Sequence, residues 1–338
     1  MYCWMRSGSC IREKWLKSDA SSEGGDGMEA KIKYGRLIET HAHYNLSAFN
    51  SNRKELILDL HDMGVERIVI PAIGYESNFD MREKFDKDAD YDGIIYYTAG
   101  VHPKFVCRLE WDSRYSRTER RELSIAPMIV PLEWDENKDS HMRAFLKDEQ
   151  TVAVGETGLD YSTFPDNELM KAVQKEFFIR FIGYANKYKK PVVLHIRPFT
   201  EKDSAGRLSY IDNRVFTDAI RILKENPIQH GAVMHCFNSS KAVAQEFMAA
   251  GVEHFGIGGA IGERASDEFV EMVKWLPLGM LLIETDAPYQ KYSIDAPSPV
   301  TSETMYQVVA RIAEIKNMDP EFVREAAYRN AKRFYNLS

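Results

Sequence analysis

The sequence predicts an α/β fold of the (β/α)8 TIM-barrel class, in which a closed ring of eight parallel strands is surrounded by helices. Eight short apolar runs recur along the chain, and longer amphipathic segments separate them. Apolar runs that are continuous rather than alternating are typical of parallel strands buried on both faces. Side chains of metal-binding type also stand at the ends of these runs. Eight strand–helix units over about 300 residues fit a barrel, which typically needs about 250.

The apolar runs define the eight predicted strands. In chain order they are residues 36–42, 67–72, 94–100, 152–157, 192–196, 232–237, 253–258 and 281–286. An open, doubly wound sheet is the structural rival of the barrel. That fold would need a glycine-rich nucleotide-binding loop after strand one, where the chain has HAHYNLSAF instead.

Helical periodicity and end signals place helices between and after the strands. The segment NRKELILDLHDMG repeats apolar residues at Leu56, Leu60 and Met63 and closes at Gly64. A long helix is predicted to start at the Asp cap of DNELMKAVQKEFF and to stop before Pro191. A serine caps the helix of SSKAVAQEFMAAG. Two more helices are predicted after the last strand, in SPVTSETMYQVVARIAEIKN and DPEFVREAAYRNAKRFYNL.

The chain divides into a polar N-terminal segment and one folded domain. Residues 1–35 are small and polar without a sustained period, so we predict a mostly disordered extension. Met28 is a natural start for the folded domain, and loss of solubility or activity on truncation to Met28 would contradict that hypothesis. Residues 36–338 form the predicted single-domain barrel. It carries insertions after strand three, in residues 103–151, and after strand five, in RPFTEKDSAGRLSYIDNR.

The composition narrows the class of protein. A formal charge of −7 provides no overall basic surface, so binding to nucleic acid by net charge alone is disfavoured. The four cysteines, Cys3, Cys10, Cys107 and Cys236, show no CxxC pairing, which favours a reduced, intracellular protein. The sequence shows neither an apolar run near 18 residues nor a secretory signal. We therefore predict a cytoplasmic protein without a membrane partner, and no obligate protein partner is inferred.

Six side chains that commonly bind metals stand at the ends of five of the predicted strands. They are His41, His43, Glu156, His195, His235 and Asp286. Because the active site of a barrel gathers at the C-terminal ends of its strands, we expect these side chains to lie together. Buried imidazoles and carboxylates are costly unless they are paired or coordinated. The set therefore predicts a metal centre.

The number and type of these side chains favour two divalent ions. One tetrahedral zinc takes three or four protein ligands, fewer than the six available. Glu156 is the natural bridge between two ions, since a carboxylate has two oxygens. Nitrogen and oxygen ligands without a thiolate suit Mg, Mn or Zn, with Fe or Co also open. Cys236 is predicted to point to the opposite face of its strand as a small core residue.

Five motifs, in this order, resemble those of the TatD-related metal-dependent hydrolases and deoxyribonucleases, a family of amidohydrolase-like TIM barrels. They are ETHAHYN, GETGLDY, KKPVVLHIR, VMHCFNSS and LLIETDAPY. The resemblance runs from about residue 36 to the C-terminus. It implies a dinuclear metal enzyme that hydrolyses phosphodiester bonds, usually in DNA. By matching position, it implies one ion at His41, His43 and Asp286, a second at His195 and His235, and Glu156 as the bridge.

The sequence departs from the family pattern at three places. The family usually has Asp at the position of Glu39 and often Asp at that of Asn45, and HCFNSS lacks the glycine that often ends this motif. None of these is an implied ligand position. The departures therefore bear on the identity of the substrate rather than on the metal chemistry.

Further residues are candidates for catalysis and for substrate binding. Asp286 is the candidate general base and Glu156 the second catalytic carboxylate. His102 and Arg197 are candidates for contacts with a phosphate, the alternatives being a turn residue before Pro103 and an ordinary salt bridge. Six aromatic residues follow strand ends, and we expect most to pack in the core and one or two to stack on a base or sugar. They are Tyr44, Tyr161, Phe164, Phe199, Phe237 and Tyr289.

Two other functions remain open at this stage. The same barrel supports hydrolysis of small amides, esters or lactones, or deamination. Such sites often bridge their metals with a carbamylated lysine after strand four, where this chain has Glu156, so the phosphodiesterase is favoured. A non-catalytic scaffold is disfavoured because all six ligand types are present. The sequence leaves open the metal, the choice of DNA, RNA or small phosphodiester, exo- or endonucleolytic action, and the oligomeric state.

Overall fold

Eight parallel strands form the central sheet in chain order, as the sequence predicts. The computed structural model describes residues 34–110, 113–122, 127–162, 166–202 and 208–337. The predicted N-terminal extension therefore lies outside the described residues, except for Tyr34 and Gly35. The backbone N–H of Tyr34 donates to the carbonyl of Met63 at 2.9 Å.

Twelve strands occur in the described part of the chain. They are β1 (Leu37–Glu39), β2 (Val65–Pro71), β3 (Ile95–Ala99), β4 (Cys107–Glu110), β5 (Met128–Pro131), β6 (Thr151–Asp160), β7 (Val192–Arg197), β8 (Phe199–Lys202), β9 (Leu208–Asp212), β10 (Ala232–Met234), β11 (His254–Ile257) and β12 (Leu281–Ile283). The barrel sheet runs β1-β2-β3-β6-β7-β10-β11-β12. The remaining strands pair as two antiparallel hairpins, β4 with β5 and β8 with β9. These hairpins lie in the two predicted insertions.

The ring closes where the segment after β12 meets the segment after β1. The backbone N–H of Asp286 donates to the carbonyl of His41 at 2.9 Å, and that of His43 donates to the carbonyl of Ala287 at 2.7 Å. Ala42 and Ala287 form a parallel bridge between the two segments. These contacts close the sheet and rule out the open, doubly wound alternative.

Helices surround the sheet, and the five that the sequence predicts are among the ten in the described part of the chain. They are Arg53–Met63, Ser77–Phe85, Arg117–Glu122, Glu136–Lys147, Glu168–Tyr188, Arg214–Glu225, Lys241–Ala249, Asp267–Trp275, Thr304–Lys316 and Pro320–Phe334. The predicted cap of helix Glu168–Tyr188 was wrong by one residue. Asn167, not Asp166, has the extended cap backbone, and its side chain accepts from the N–H of Met170. None of the described helices is both long and apolar enough to cross a membrane.

The last helix covers the N-terminal ends of the strands. Tyr328 and Phe334 of helix Pro320–Phe334 pack against apolar residues from several strands, among them Ile38 and Val233. The side-chain amide of Asn330 donates to the carbonyl of Leu281, the first residue of β12, at 2.9 Å. One end of the barrel is therefore sealed by apolar packing, which leaves the C-terminal ends of the strands for the polar residues.

Candidate metal centre

The residues that follow β1 and β12 place two imidazoles beside a carboxylate. His41 and His43 are 1% and 4% exposed. Because alternate residues of extended chain leave on the same face, the two rings point into one space while Ala42 pairs with Ala287 behind them. The Nε2 atom of His43 lies 3.2 Å from Oδ1 of Asp286, and Nε2 of His41 lies 3.9 Å from the same oxygen.

Glu156 enters this space from a bulge in β6. Val154 pairs with Val192, and Thr157 pairs with Leu194, so β6 has one more residue than β7 between these pairs. Such a bulge re-aims a side chain without ending the strand. The prediction that strand four ends at about Glu156 was therefore wrong, because pairing resumes after the bulge and β6 continues to Asp160.

The two glycines around Glu156 are required by the close approach of β6 to β7. Gly155 and Gly158 have φ angles of 131° and 142°. A Cβ on Gly155 would lie 2.5 Å from the carbonyl oxygen of Val193, and one on Gly158 would lie 2.2 Å from that of His195. No other residue fits these two positions without a shift of the backbone. The motif GETG is thus the local sequence that lets the bulge form.

The two carboxylate oxygens of Glu156 face different histidines. Oε2 lies 3.4 Å from Nε2 of His41 and 4.0 Å from Nε2 of His43. Oε1 lies 2.6 Å from Nδ1 of His195 and 3.6 Å from Nε2 of His235. The structure therefore brings all six predicted side chains together around Glu156, and His235 also lies near the first group, with its Nε2 4.0 Å from Oδ1 of Asp286.

Several buried polar atoms in this cluster have no hydrogen-bond partner among the described residues. They include both ring nitrogens of His41, Nδ1 of His43 and Oε2 of Glu156. Buried polar atoms are nearly always paired, and leaving them unpaired is costly. Among the described residues, four triads have ligand atoms within 4.8 Å of one another, namely His41–His43–Glu156, His41–His235–Asp286, His102–Glu156–His195 and His235–Cys236–Glu284. The residues present thus fit divalent cations.

The charges of the cluster are also those of a cation site. Burial alone would raise the pKa of Glu156, but the nearby His102 and His235 hold that pKa well below its usual range. For Asp286, the same burial effect is outweighed by the hydrogen bond from His43 and by His235, so its pKa is lowered. Both carboxylates are therefore ionised at neutral pH, and they attract a cation.

Two acidic residues that were not predicted from the sequence lie beside two of the candidate ligand histidines. Oδ2 of Asp160 lies 2.9 Å from Nε2 of His195, and Oε1 of Glu284 lies 3.1 Å from Nδ1 of His235. Asp160 accepts from Nε2 of His195, and Glu284 lies beside Nδ1 of His235, so that Nδ1 of His195 and Nε2 of His235 face Glu156. A signal was available: Glu284 precedes Asp286 by two residues, and Asp160 ends the motif GETGLD.

The hydrogen-bonding arrangement of His195 itself points to a shared cation or proton. A neutral imidazole has one N–H, and Asp160 accepts it at Nε2. The lone pair of Nδ1 then faces Oε1 of Glu156 at 2.6 Å. Two acceptors at this separation repel each other unless a positive charge lies with them. The carboxylates of Asp160 and Glu156 raise the pKa of His195 against the effect of burial, which would lower it.

His102 lies at the edge of the cluster in a defined tautomer. The backbone N–H of Lys104 donates to Nδ1 of His102 at 3.0 Å, so the ring proton is on Nε2. That Nε2 lies 3.2 Å from Nδ1 of His195 and 3.5 Å from Oε1 of Glu156. Burial, together with His195, lowers the pKa of His102 to about 3 and keeps the ring neutral. The residue is therefore both a site residue and the N-cap of the turn at Pro103–Phe105.

Arg197 is the predicted site residue that the structure does not bring into the cluster. It is the last residue of β7, two positions after His195, and its side chain is exposed. Among the described contacts, its side chain touches none of the six predicted ligands. A role in substrate binding therefore stays a prediction.

The structure corrects the prediction for Cys236 and separates the aromatic candidates. Cys236 is half-buried and has a φ angle of 49°, and its sulfur accepts from the side-chain amide of Gln290. The left-handed backbone turns the side chain away from the core position that a regular strand would give it.

Of the aromatic candidates, Tyr44, Tyr161 and Phe237 are buried, Phe199 is half-buried, Tyr289 is 54% exposed, and Phe164 lies outside the described residues.

Glu39 joins the ends of β1 and β12 beneath the cluster. Its carboxylate is fully buried and accepts from the backbone N–H groups of His41 and Thr285, at 3.2 and 3.0 Å. It also accepts from the hydroxyls of Thr285 and Ser302, both at 2.7 Å. Burial raises the pKa of Glu39 to about 8, although these donors oppose the shift. The departure from the family pattern at this position is thus a fully bonded structural link.

The family model for "TatD related DNase" matches residues 38–336. The "Uncharacterized metal-dependent hydrolase YabD" of Bacillus subtilis is 30% identical over 308 residues, which are 89% of this chain and 100% of that protein. The "3'-5' ssDNA/RNA exonuclease TatD" of Cronobacter sakazakii is 27% identical over 296 residues, which are 86% of this chain and 94% of that protein.

A solved structure has the same fold. The TatD homologue YjjV of Escherichia coli K12 superposes with a TM-score of 0.67 at 24% sequence identity. The match covers 90% of this chain and 99% of that chain. This likeness supports the barrel and its strand order.

Proposed function

The chain belongs to the TatD-related DNase family of metal-dependent hydrolases, and we propose on that premise that it cleaves phosphodiester bonds in single-stranded nucleic acid. The relative from Cronobacter sakazakii bears the name of a single-stranded DNA and RNA exonuclease, which supports this substrate class. The cytoplasmic location predicted from the sequence stays a prediction.

The observation that carries the proposal is the double role of Glu156. Its Oε2 faces His41 and His43, and its Oε1 faces His195 and His235. Such an arrangement suits two divalent ions, for which Mg, Mn or Zn are the candidates. When bound, a pair of ions lowers the pKa of a water molecule and stabilises the charge that develops on the phosphate.

Asp286 is the best-placed side chain to receive a proton from the attacking water. Its side chain is 17% exposed, whereas that of Glu156 is 3% exposed, so solvent reaches Asp286 more readily. Its lowered pKa keeps it ionised and able to accept a proton at neutral pH. From this position Asp286 can pass the proton to solvent.

We propose that His102 donates a hydrogen bond to a phosphate oxygen when Nδ1 of His195, which lies 3.2 Å from its Nε2, is bound to a metal ion instead. Its Nδ1 is occupied by the N–H of Lys104, so Nε2–H is the group that it presents to the cluster. Because its pKa is about 3, the ring stays neutral across the physiological range and keeps this donor. We propose Arg197 as a second, outer contact with the phosphate backbone. It is exposed and is the last residue of β7, the strand that contains His195.

The test is a nuclease assay with defined oligonucleotides in the presence of Mg or Mn. Glu156→Gln and Asp286→Asn should lose at least about a hundredfold in kcat, the usual contribution of a positioned acid or base. Glu225→Gln, which changes an exposed carboxylate on a surrounding helix, is the matched control and should retain full activity. Equal activity in all four proteins would reveal a contaminating nuclease and contradict the proposal.

Metal analysis and an alternative substrate panel complete the test. We expect close to two ions per wild-type chain and fewer in Glu156→Gln. The same preparations should be offered small lactones, esters and amides. Turnover of those compounds without any cleavage of phosphodiesters would contradict the nuclease and support the alternative function, a hydrolase of small lactones, esters or amides on the same barrel.

A further inference from the structure

Two exposed aromatic rings stand at opposite ends of the metal cluster. Phe105 and Tyr289 are 51% and 54% exposed. The ring of Phe105 meets that of His102 edge-on at a centroid distance of 6.1 Å, and the ring of Tyr289 meets that of His43 edge-on at 6.2 Å. Phe105 was not among the aromatic candidates from the sequence, because it follows a turn rather than a strand end.

His102 and His43, which contact these two aromatic rings, are the outer members of a row of imidazoles. The centroid distances between successive rings are 5.1 Å from His43 to His41, 3.5 Å from His41 to His235 and 6.2 Å from His235 to His195. His102 follows His195 at 4.1 Å. The carboxylate of Glu156 lies among these rings. Phe105 and Tyr289 therefore contact the first and the last imidazole of this row.

Both aromatic residues are positioned by the same kind of hydrogen-bonded turn. The backbone N–H of Phe105 donates to the carbonyl of His102 at 2.8 Å, and that of Tyr289 donates to the carbonyl of Asp286 at 2.9 Å. Each aromatic residue is thus the third residue after a site residue, in a hydrogen-bonded turn. The turns position the rings while solvent keeps access to about half of each surface.

We propose that Phe105 and Tyr289 form two base-stacking subsites, one on each side of the phosphate that is cleaved. This inference rests on the proposed function and names the form of substrate that the site takes. In a single strand, the bases next to a phosphate can swing out and stack on aromatic side chains. In a duplex the same bases are paired inside the helix. The two rings therefore select a single-stranded chain.

Other exposed aromatic residues do not share this placement. Phe79 is 39% exposed and packs edge-on against Phe145 and His141, away from the metal cluster. Phe322 is 56% exposed and lies on the last helix, which covers the opposite end of the barrel. Phe322 is therefore a matched control for the loss of an exposed ring.

The experiment compares Phe105→Ala, Tyr289→Ala and Phe322→Ala with the wild-type protein. In the presence of Mg or Mn, each is assayed on a single-stranded DNA oligomer and on an oligomer of abasic tetrahydrofuran phosphodiesters. For the first two variants we expect KM on single-stranded DNA to rise roughly tenfold, the order of one lost base stack. Turnover of the abasic oligomer should stay unchanged, and Phe322→Ala should match the wild type throughout.

A binding measurement assigns the two subsites without relying on turnover. Phosphorothioate-linked single strands carry one 2-aminopurine at successive positions, and stacking quenches its fluorescence. Each alanine variant should abolish quenching at one position only, and Phe105→Tyr and Tyr289→Phe should restore it. Unchanged quenching in both alanine variants, or an equal loss of activity on the abasic oligomer, would overturn the subsites. A wild-type protein that cleaves neither oligomer would instead contradict the proposed function itself.

Discussion

Asp160 shows how a residue that would bind no metal can control a metal site. It accepts a hydrogen bond from Nε2 of His195 and also from the backbone N–H and hydroxyl of Ser162, and it lies 3.5 Å from the ammonium of Lys104. Burial alone would raise its pKa, but these partners lower it. Asp160 therefore stays ionised and fixes the orientation of the His195 ring.

At the residue scale, Asp160→Asn should weaken metal binding. The amide cannot hold His195 as the carboxylate does, and loss of such a partner typically costs 10- to 100-fold in metal affinity. Isothermal titration of the metal-free variant with Mn or Zn measures this change. Asp218→Asn, which removes the charge of the carboxylate that accepts from the Tyr161 hydroxyl, is the control for the loss of a partly buried carboxylate away from the cluster. Equal affinity in Asp160→Asn and the wild type would contradict the positioning role.

A second residue-scale prediction concerns His254, in β11. The ring is 9% exposed and lies 5.0 Å from that of Phe334, and burial, with Arg333 nearby, lowers its pKa to about 4. An unfolded chain has a histidine pKa near 6.5, so between about pH 6.5 and pH 4 the unfolded state binds the proton and the folded state does not. The free energy of unfolding should therefore fall as the pH decreases through this range.

The size of this effect follows from the two pKa values. At pH 5, protonation of His254 in the unfolded chain should remove about 2 kcal/mol relative to pH 8. Urea unfolding of the wild type and of His254→Gln at both pH values measures the difference between the two proteins, in which the other histidines cancel. Parallel pH profiles for the two proteins would show that His254 does not titrate in this way.

At the scale of elements, the closure of the barrel depends on a polar seam rather than on apolar contacts alone. Glu39 accepts from groups that belong to the segments after β1 and β12, and the hydroxyl of Ser302 adds a donor from the loop before helix Thr304–Lys316. Ser302 is itself fully buried and hydrogen-bonded to the hydroxyl of Tyr44. The seam therefore links three segments directly behind His41 and Asp286.

Replacement of Glu39 by Gln should destabilise this seam. Above about pH 8, where Glu39 is ionised, the amide group of Gln places a donor where the structure presents only donors to this side chain, and a buried unsatisfied group costs about 1–3 kcal/mol. Ser302→Ala removes a single donor and should cost about 1 kcal/mol. Because both changes affect the same hydrogen bond, from the hydroxyl of Ser302 to Glu39, the double variant should lose less free energy of unfolding than the sum of the two single variants. Additive losses in chemical unfolding would show that the two residues act independently.

At the scale of the whole molecule, metal binding and folding should be coupled. The six side chains of the cluster come from β6 and β7 and from the segments that follow β1, β10 and β12, so they meet only in the folded barrel. A ligand that binds only the folded state at a hundredfold excess over its Kd adds about 2.7 kcal/mol per site. Removal of the metal with a chelator should then lower Tm by on the order of 5 °C.

The control for this measurement is the chain that lacks the bridging carboxylate. Glu156→Gln should show a smaller change in Tm with chelator than the wild type, because its metal affinity is already reduced. An identical change in both proteins would mean that the chelator acts elsewhere, or that the metal does not bind at Glu156.

The sequence was sufficient to predict the barrel and the order of its strands. Continuous apolar runs, helical periods and end signals are local properties, and each can be recognised in about ten residues. The HxH pair could likewise be predicted as one unit, because His41 and His43 alternate along extended chain. The approximate ends of helices such as Arg53–Met63 were also predictable, because glycine at Gly64 is a local stop signal.

Only the tertiary structure decided which partners surround those residues. Asp160 reaches His195 because a bulge and two glycines carry β6 four residues past Glu156, and Glu284 reaches His235 across a neighbouring strand. The hydroxyls of the buried Tyr44 and Tyr161 meet Ser302 and Asp218, which lie far away in the chain. Local sequence determines the period of each element. Contacts between distant segments determine where each side chain lies in the folded protein, because strand register and barrel closure are properties of the whole ring.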